Sequence, residues 1–426
     1  MKVVQKNAAP SISKKKTWYY WVIVFACFLL SASCTGMLSN FNSLFISTVS
    51  DALRVKRAEL ALFSTCSSIT AMLFLPLASK LYQRLPMRPL VLLGALCGAG
   101  AHLLYSLASS VFFFYLGGVL SGLCASFAGT VPINLLLSNW FYEKRGFATG
   151  IVYTGSSLIA SLLSPAVSYI LLRYGWRIAY RSISGCLLLT ALPFLLLIRS
   201  KPADAGMLPY GQAGKGDSSV SVPSFGFTQK QTVHLLGYWL FAIGIFLLGV
   251  ITSGTLQHLV AYWQTLGIAH SSAVRVYSLV LLTGVVGKLV IGALFDRFRV
   301  RTVLLLCSGV EIGAFIALLA FHSDKAVFLP ASLFGITTAF QIILPAYLTQ
   351  KFYGTRDFVA NVGLIITMLY LGSSSGSPIS ALIFDLSGSY RPAWLLFIAA
   401  SAAAFLCLLA ANRLSSSTFL QEPVLQ

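Results

Sequence analysis

The sequence predicts an all-α membrane protein of twelve transmembrane helices, arranged as two six-helix repeats. Three observations carry this prediction: a deficit of charge, twelve apolar runs of spanning length, and a correspondence between the two halves of the chain. Of 426 residues, 57% are hydrophobic and 10% are charged, and the mean hydropathy is +0.83. A soluble domain carries about 25% charged residues, so most of this surface cannot face water. A bilayer must take water's place, and each spanning helix needs about 20 apolar residues.

The apolar runs fall at 18–45, 59–82, 88–109, 111–138, 146–172, 178–199, 234–263, 273–295, 301–321, 326–350, 358–384 and 391–411. An even number puts both termini on one side of the membrane. Basic residues choose that side, because cytoplasmic loops collect Lys and Arg. Twenty of the 30 lie with the termini: five before residue 17, then Lys80, Arg84, Arg88, Lys144, Arg145, Arg199, Lys201, Lys215, Lys230, Arg297, Arg299, Arg301, Lys351, Arg356 and Arg413. Nine lie opposite, at Arg54, Lys56, Arg57, Arg173, Arg177, Arg181, Arg275, Lys325 and Arg391, and Lys288 lies inside a run. Both termini are therefore expected in the cytoplasm. The same pattern accounts for the net charge of +19 without a nucleic-acid partner, since no basic stripe lies on a soluble face.

The first run is too long for a secretory signal and lacks an A-x-A cleavage site. All seven tryptophans sit at or near segment ends, as in an interfacial aromatic belt. The eight cysteines lie inside apolar runs without a C-x-x-C pair, and the five histidines show no ligand spacing, so neither disulfides nor a metal site are expected. No P-loop, H-E-x-x-H or dinucleotide fingerprint occurs. An enzyme, a cofactor and an ATP-driven pump are thereby disfavoured.

The longest polar stretch, 200–233, is rich in Gly, Pro and Ser and reads as a flexible linker. The chain then divides into an N-terminal tail (1–16), a six-helix half (17–199), the linker (200–233), a second six-helix half (234–412) and a C-terminal tail (413–426). The halves repeat. Ser79–Arg88 (SKLYQRLPMR) aligns with Gly292–Arg301 (GALFDRFRVR), and at the same offset Pro165 meets Pro378 and Gly175 meets Gly388. Close to that offset, Phe141-Tyr142 meets Phe352-Tyr353. A parallel six-plus-six repeat is a transporter architecture.

The segment GALFDRFRVR at 292–301 resembles the G-x-x-x-D-R-x-x-x-R loop of the major facilitator superfamily. The first-half copy is degraded, with Ser79 and Gln83 in place of Gly and Asp. Within that superfamily the chain is similar to the monocarboxylate porter and oxalate/formate antiporter group. Trp140-Phe141, Lys144-Arg145-Gly146, Ala148 and Gly150 carry that similarity, with Gly175-Trp176-Arg177, the linker segment Lys201–Pro209 and Gly287-Lys288-x-x-x-Gly292. The resemblance implies a secondary carrier of the plasma (inner) membrane that works as a monomer by alternating access. It also implies that Lys288 anchors a substrate carboxylate. The second cation expected of oxalate carriers is missing from Gly363–Gly372 (GLIITMLYLG), which favours a monoanion or an uncharged substrate over a dianion.

Lys288 lies roughly 12 Å inside the eighth run at about 1.5 Å per residue, where a charge must face a cavity or a partner. Snorkelling or a structural ion pair are the other readings. Glu311 lies at a similar depth in the ninth run, so an interaction with Lys288 and a role in coupling are expected; structural packing is the alternative. His258, near the far end of the seventh run, is a substrate-binding candidate on the resemblance. Asn134, Gln341 and Tyr370 are polar groups on the fourth, tenth and eleventh runs, candidates for lining the cavity or for joining helices. Asp296, Arg297 and Arg301 are expected to act as a conformational latch. The function these readings support is secondary transport of a small, monocarboxylate-like anion across the lipid bilayer. Proton-linked efflux of hydrophobic compounds and a non-transporting sensor are the alternatives.

Overall fold

A computed structural model describes residues 14–141, 143, 145–202, 206–211, 226–321, 323, 326–354 and 356–421. Among them, 12 helices are long and apolar enough to cross a membrane. In chain order these are α1 (Trp18–Leu53), α2 (Arg57–Tyr82), α3 (Met87–Leu107), α4 (Val111–Trp140), α5 (Phe147–Tyr174), α6 (Trp176–Leu197), α7 (Leu236–Leu256), α8 (His270–Phe295), α9 (Val300–Ala320), α10 (Phe328–Tyr353), α11 (Ala360–Ser387) and α12 (Arg391–Ser415). The helix of α12 runs on to Gln421, so the expected C-terminal tail begins as helix. Half of the linker and residues 1–13 lie outside the described residues.

Two helices differ from their apolar runs. Helix α1 continues past its apolar stretch to Leu53, because Ser43, Ser47 and Ser50 are buried and bonded there. The seventh run is not one helix: α7 stops at Leu256, and a short helix, Leu259–Thr265, follows a turn that holds His258. Helices α1 and α4 each contain a π-helical segment, Ala32–Met37 and Ala125–Gly129, the kind of interruption that often marks a functional region.

The two halves pack by the same pairings. In the first, α2 lies on α4, α1 on α5 and α3 on α6; in the second, α8 lies on α10, α7 on α11 and α9 on α12. The fifth and eleventh helices both end at a glycine of positive φ, Gly175 at 87° and Gly388 at 70°, a conformation that only glycine enters without cost. The linker also docks symmetrically: Tyr210 N donates to Trp140 O at the end of α4 (2.8 Å), and Phe227 N donates to Tyr353 O at the end of α10 (3.0 Å). Glycine further sets the α7–α11 contact, since a Cβ on Gly372 or Gly376 would strike the carbonyl oxygen of Phe246 or Val250.

The halves meet along α2–α11 and α5–α8. Tryptophan is less interfacial than the sequence suggested. Trp18, Trp21 and Trp239 are exposed, but Trp140, Trp176, Trp263 and Trp394 are buried. Helix ends inside a bundle also offer an indole a backbone acceptor, as Arg199 O does for Trp140 Nε1 at 3.0 Å. All eight cysteines are free, and no cluster of metal-ligating side chains occurs among the described residues.

Candidate functional site

The hydrogen bonds between the halves define two ends of the molecule. At the end away from the linker, Ser47 Oγ donates to Gln264 Oε1 (2.7 Å), Ser43 Oγ accepts from Val260 N (3.2 Å), and Arg57 Nη1 donates to the Tyr390 hydroxyl (3.0 Å). Asp385 Oδ2 accepts from Ala58 N at 2.8 Å, which sets a carboxylate on the N-terminus of α2, where the helix dipole favours negative charge. The Arg57 guanidinium also lies 4.1 Å over the Phe384 ring. Deeper in, Tyr277 donates to Asn40 O (2.7 Å) and Ser161 to Ser278 O (2.7 Å).

The innermost of these contacts is made by Lys288. Its Nζ donates to Ser157 Oγ (2.8 Å) and to Tyr153 O (3.2 Å), both on α5 of the other half. Tyr153 and Ser157 stand one helical turn apart, so they share the face that α5 turns to α8. The Tyr153 hydroxyl in turn donates to Asn134 Oδ1 of α4 (3.1 Å). Helices α4, α5 and α8 thus bring Asn134, Tyr153, Ser157 and Lys288 into one cluster. Lys288 is 9% exposed, and its partners are neutral.

Of the candidates named from sequence, the structure joins Lys288 and Asn134 in this way, while Tyr370 is half-buried on α11 and is not joined to them by a described hydrogen bond. Tyr153 and Ser157 were missed, although a polar pair four residues apart in an apolar run was a signal that could have found them. Gln341 is half-buried on α10 and is not joined to the cluster by a described hydrogen bond.

The expected Lys288–Glu311 pair does not form. Helix α8 turns Lys288 toward α5, whereas α9 packs mainly on α10 and α12, and Glu311 Oε2 is buried there without a hydrogen-bond partner. His258 is also engaged elsewhere. It is fully buried; its Nδ1 meets the Tyr390 hydroxyl (3.1 Å) and its Nε2 meets Ser377 O and Oγ (both 3.0 Å). Both ring nitrogens are used within one half, so none is left for a solute. His258 instead braces Tyr390, which receives Arg57 from the other half. Arg297 and Arg301 are exposed and bond to no described residue, and the Asp296 side chain lies outside the described residues.

A bundle of twelve spans, built of two like-packed halves that share a buried cation at their seam, defines a membrane carrier rather than an enzyme. The chain matches the family model of the Major Facilitator Superfamily over residues 27–360 and belongs to that superfamily. It is 27% identical to monocarboxylate transporter 13 of Rattus norvegicus over 379 residues, covering 87% of this chain and 83% of that protein. It is 22% identical to monocarboxylate transporter 12 of Homo sapiens over 413 residues (92% and 80%). An MFS-type transporter, YcxA, of Bacillus subtilis shares 24% identity over 379 residues (87% and 90%). Among solved structures, the nucleoside transporter NupG superposes with a TM-score of 0.71 at 13% identity (92% and 99%). An inward-facing, unoccupied bacterial homologue of the lysosomal transporter Spinster superposes with 0.66 at 15% (96% and 99%). The chain is thus a multi-pass membrane transporter with relatives of the monocarboxylate-transporter kind.

Proposed function

We propose that the protein carries a small monocarboxylate across the plasma membrane by alternating access, with Lys288 as the anchor for the carboxylate. The observation that carries this reading is the set of partners of Lys288. A buried cation in a membrane pairs with a counter-charge or a backbone carbonyl, or faces a cavity, and this one is held by a hydroxyl and a carbonyl with no carboxylate bonded to it. The site therefore has one uncompensated positive charge at the seam between halves. An incoming carboxylate would replace Ser157 and the Tyr153 carbonyl as its partner, with the Tyr153 hydroxyl and the Asn134 amide as further donors. One cation suits one negative charge, and the relatives' names agree with that class.

Closure away from the linker, with Lys288 as the last inter-half bond toward it, supports a substrate path that opens at the linker end. With both termini cytoplasmic, this is an inward-open carrier. We assign Glu311 a separate role, as a proton-binding group remote from the anchor, and take the monomer as the working unit.

The test is thermal stability of the purified protein with a panel of mono- and dicarboxylates, for wild type and Lys288→Ala. A ligand at about 100 times its Kd stabilises the native state by about 2.7 kcal/mol. A monocarboxylate is expected to raise the Tm of wild type and not of Lys288→Ala. Stabilisation by lipophilic cations or neutral compounds alone would move the assignment to efflux.

A further inference from the structure

A second site lies far from Lys288, where α5 ends and α8 begins. A crevice of about 330 Å³ opens there between the halves, and its wall includes Ser168, Tyr169, Leu172 and Arg173 from α5 and Ser271 and Arg275 from α8. We propose that this crevice binds a phosphate-type oxyanion, held between Arg173 and Arg275, and that the anion is the headgroup of a membrane phospholipid.

Three observations lead there. First, closing this end puts two guanidinium groups, one from each half, into one crevice whose wall contains no acidic residue. Both arginines are exposed, so solvent screens part of their mutual repulsion, and no carboxylate among the described residues pairs with either; Arg275 Nη2 donates to the neutral Ser272 (3.0 Å). A shared oxyanion removes that repulsion and can take two forked arginine contacts. Second, the Ser168 hydroxyl is buried, 2% exposed, and has no hydrogen-bond partner. Buried polar groups are normally satisfied, so an orphan in the wall of a cationic crevice marks a place for an acceptor. Third, the flanking Tyr169 and Leu172 are exposed, 63% and 60%, on the outer surface of a spanning helix one turn from its end. That is the depth of the headgroup region, with apolar side chains placed below it to receive an acyl chain. A soluble anion would use the arginines but gain nothing from that apolar surface.

The two arginines come from different halves, so a bound headgroup clasps them together and favours the conformation closed at this end. This clasp is independent of the Lys288 anchor and of the identity of the transported solute.

The test uses the whole purified protein, delipidated in maltoside detergent, with thermal stability as the readout. Dioleoylphosphatidylglycerol, dioleoylglycerol and inorganic phosphate are added separately to wild type and to the Arg173→Gln/Arg275→Gln variant. Phosphatidylglycerol is expected to raise the Tm of wild type, with an apparent affinity weakened about tenfold or more in the variant, and diacylglycerol is expected to do neither. The single variants are read the same way where the double variant is too unstable to purify. If inorganic phosphate reproduces the arginine-dependent rise, the oxyanion site stands and its source is soluble rather than lipid. An equal response of wild type and variants to phosphatidylglycerol, or no response of wild type to either anion, overturns the proposal.

Discussion

At the scale of the residue, Lys288 and Ser157 make a prediction that separates holding the protein from holding its substrate. The 2.8 Å bond from Nζ to Ser157 Oγ is a hydrogen bond to a charged group, worth about 1.5–3 kcal/mol. Ser157→Ala should lower the stability of the ligand-free protein by an amount of that order, measured by chemical or thermal unfolding. It should leave the carboxylate-induced rise in Tm intact, because the anion replaces Ser157 rather than using it. Lys288→Ala should lose that rise. If Ser157→Ala also abolishes it, the serine contacts substrate and the competition between Ser157 and the anion is refuted. Glu311 offers a second residue-scale test. Its buried, unbonded carboxylate oxygen can be replaced isosterically, so Glu311→Gln should fold and bind carboxylate. If Glu311 couples transport to protons, uptake into proteoliposomes by that variant should no longer respond to an imposed pH gradient; an unchanged response would remove it from the coupling role. His258 shows how far residue type alone can mislead. A histidine near the end of a transport helix reads as a ligand, but three hydrogen bonds to Tyr390 and Ser377 consume it.

At the scale of the element, the informative contact is α7 on α11. Gly372 and Gly376 sit on successive turns of α11, against Phe246 O and Val250 O of α7, and small residues let helix backbones approach this closely in membranes. Gly376→Ala cannot be absorbed by a flexible side chain, because the obstruction is backbone. Overpacking of this kind costs typically about 1–3 kcal/mol, and the variant should show a correspondingly lower Tm in detergent. A Tm unchanged from wild type would mean that α7 and α11 slide apart freely. Apolar run lengths and helix-ending glycines made most of these elements legible. The break after α7 and the extension of α1 were not, because both depend on partners from the opposite half: Ser43 and Ser47 on α1 bond to Val260 and Gln264 beyond the end of α7.

At the scale of the whole molecule, the closed end is a set of cross-half bonds, and Arg57 takes part in the best connected of them. It meets Tyr390 at 3.0 Å and lies over Phe384, while Asp385 caps α2 through Ala58 N. Removing one or two kcal/mol of such contacts changes a two-state ratio by a factor of about 5–30. Arg57→Gln should therefore raise the rate at which a cysteine placed at Ser47, in a background lacking the eight native cysteines, reacts with a membrane-impermeant thiol reagent from the side away from the linker. A rate equal to that of the parent would show that this contact does not hold the end shut. The same labelling fixes orientation, since reaction from outside intact cells is expected when the termini are cytoplasmic.

Composition, run length and the spacing of GALFDRFRVR determined by themselves that the chain spans a membrane twelve times and is built from two related halves. These are one-dimensional properties: a bilayer reads each helix separately, by length and apolarity, and a repeat survives as aligned loops. The sequence also singled out Lys288, because a charge inside an apolar run is conspicuous wherever the helix goes. What the charge faces was decided only by tertiary structure. Lys288 turns to α5 rather than to Glu311, and Tyr153 and Ser157 become its partners, because the face each helix presents depends on which neighbours its packing ridges select. The arginine crevice has the same origin. Arg173 and Arg275 are a hundred residues apart and unremarkable as helix-end cations. Only the closure of two halves brings them to the wall of one crevice.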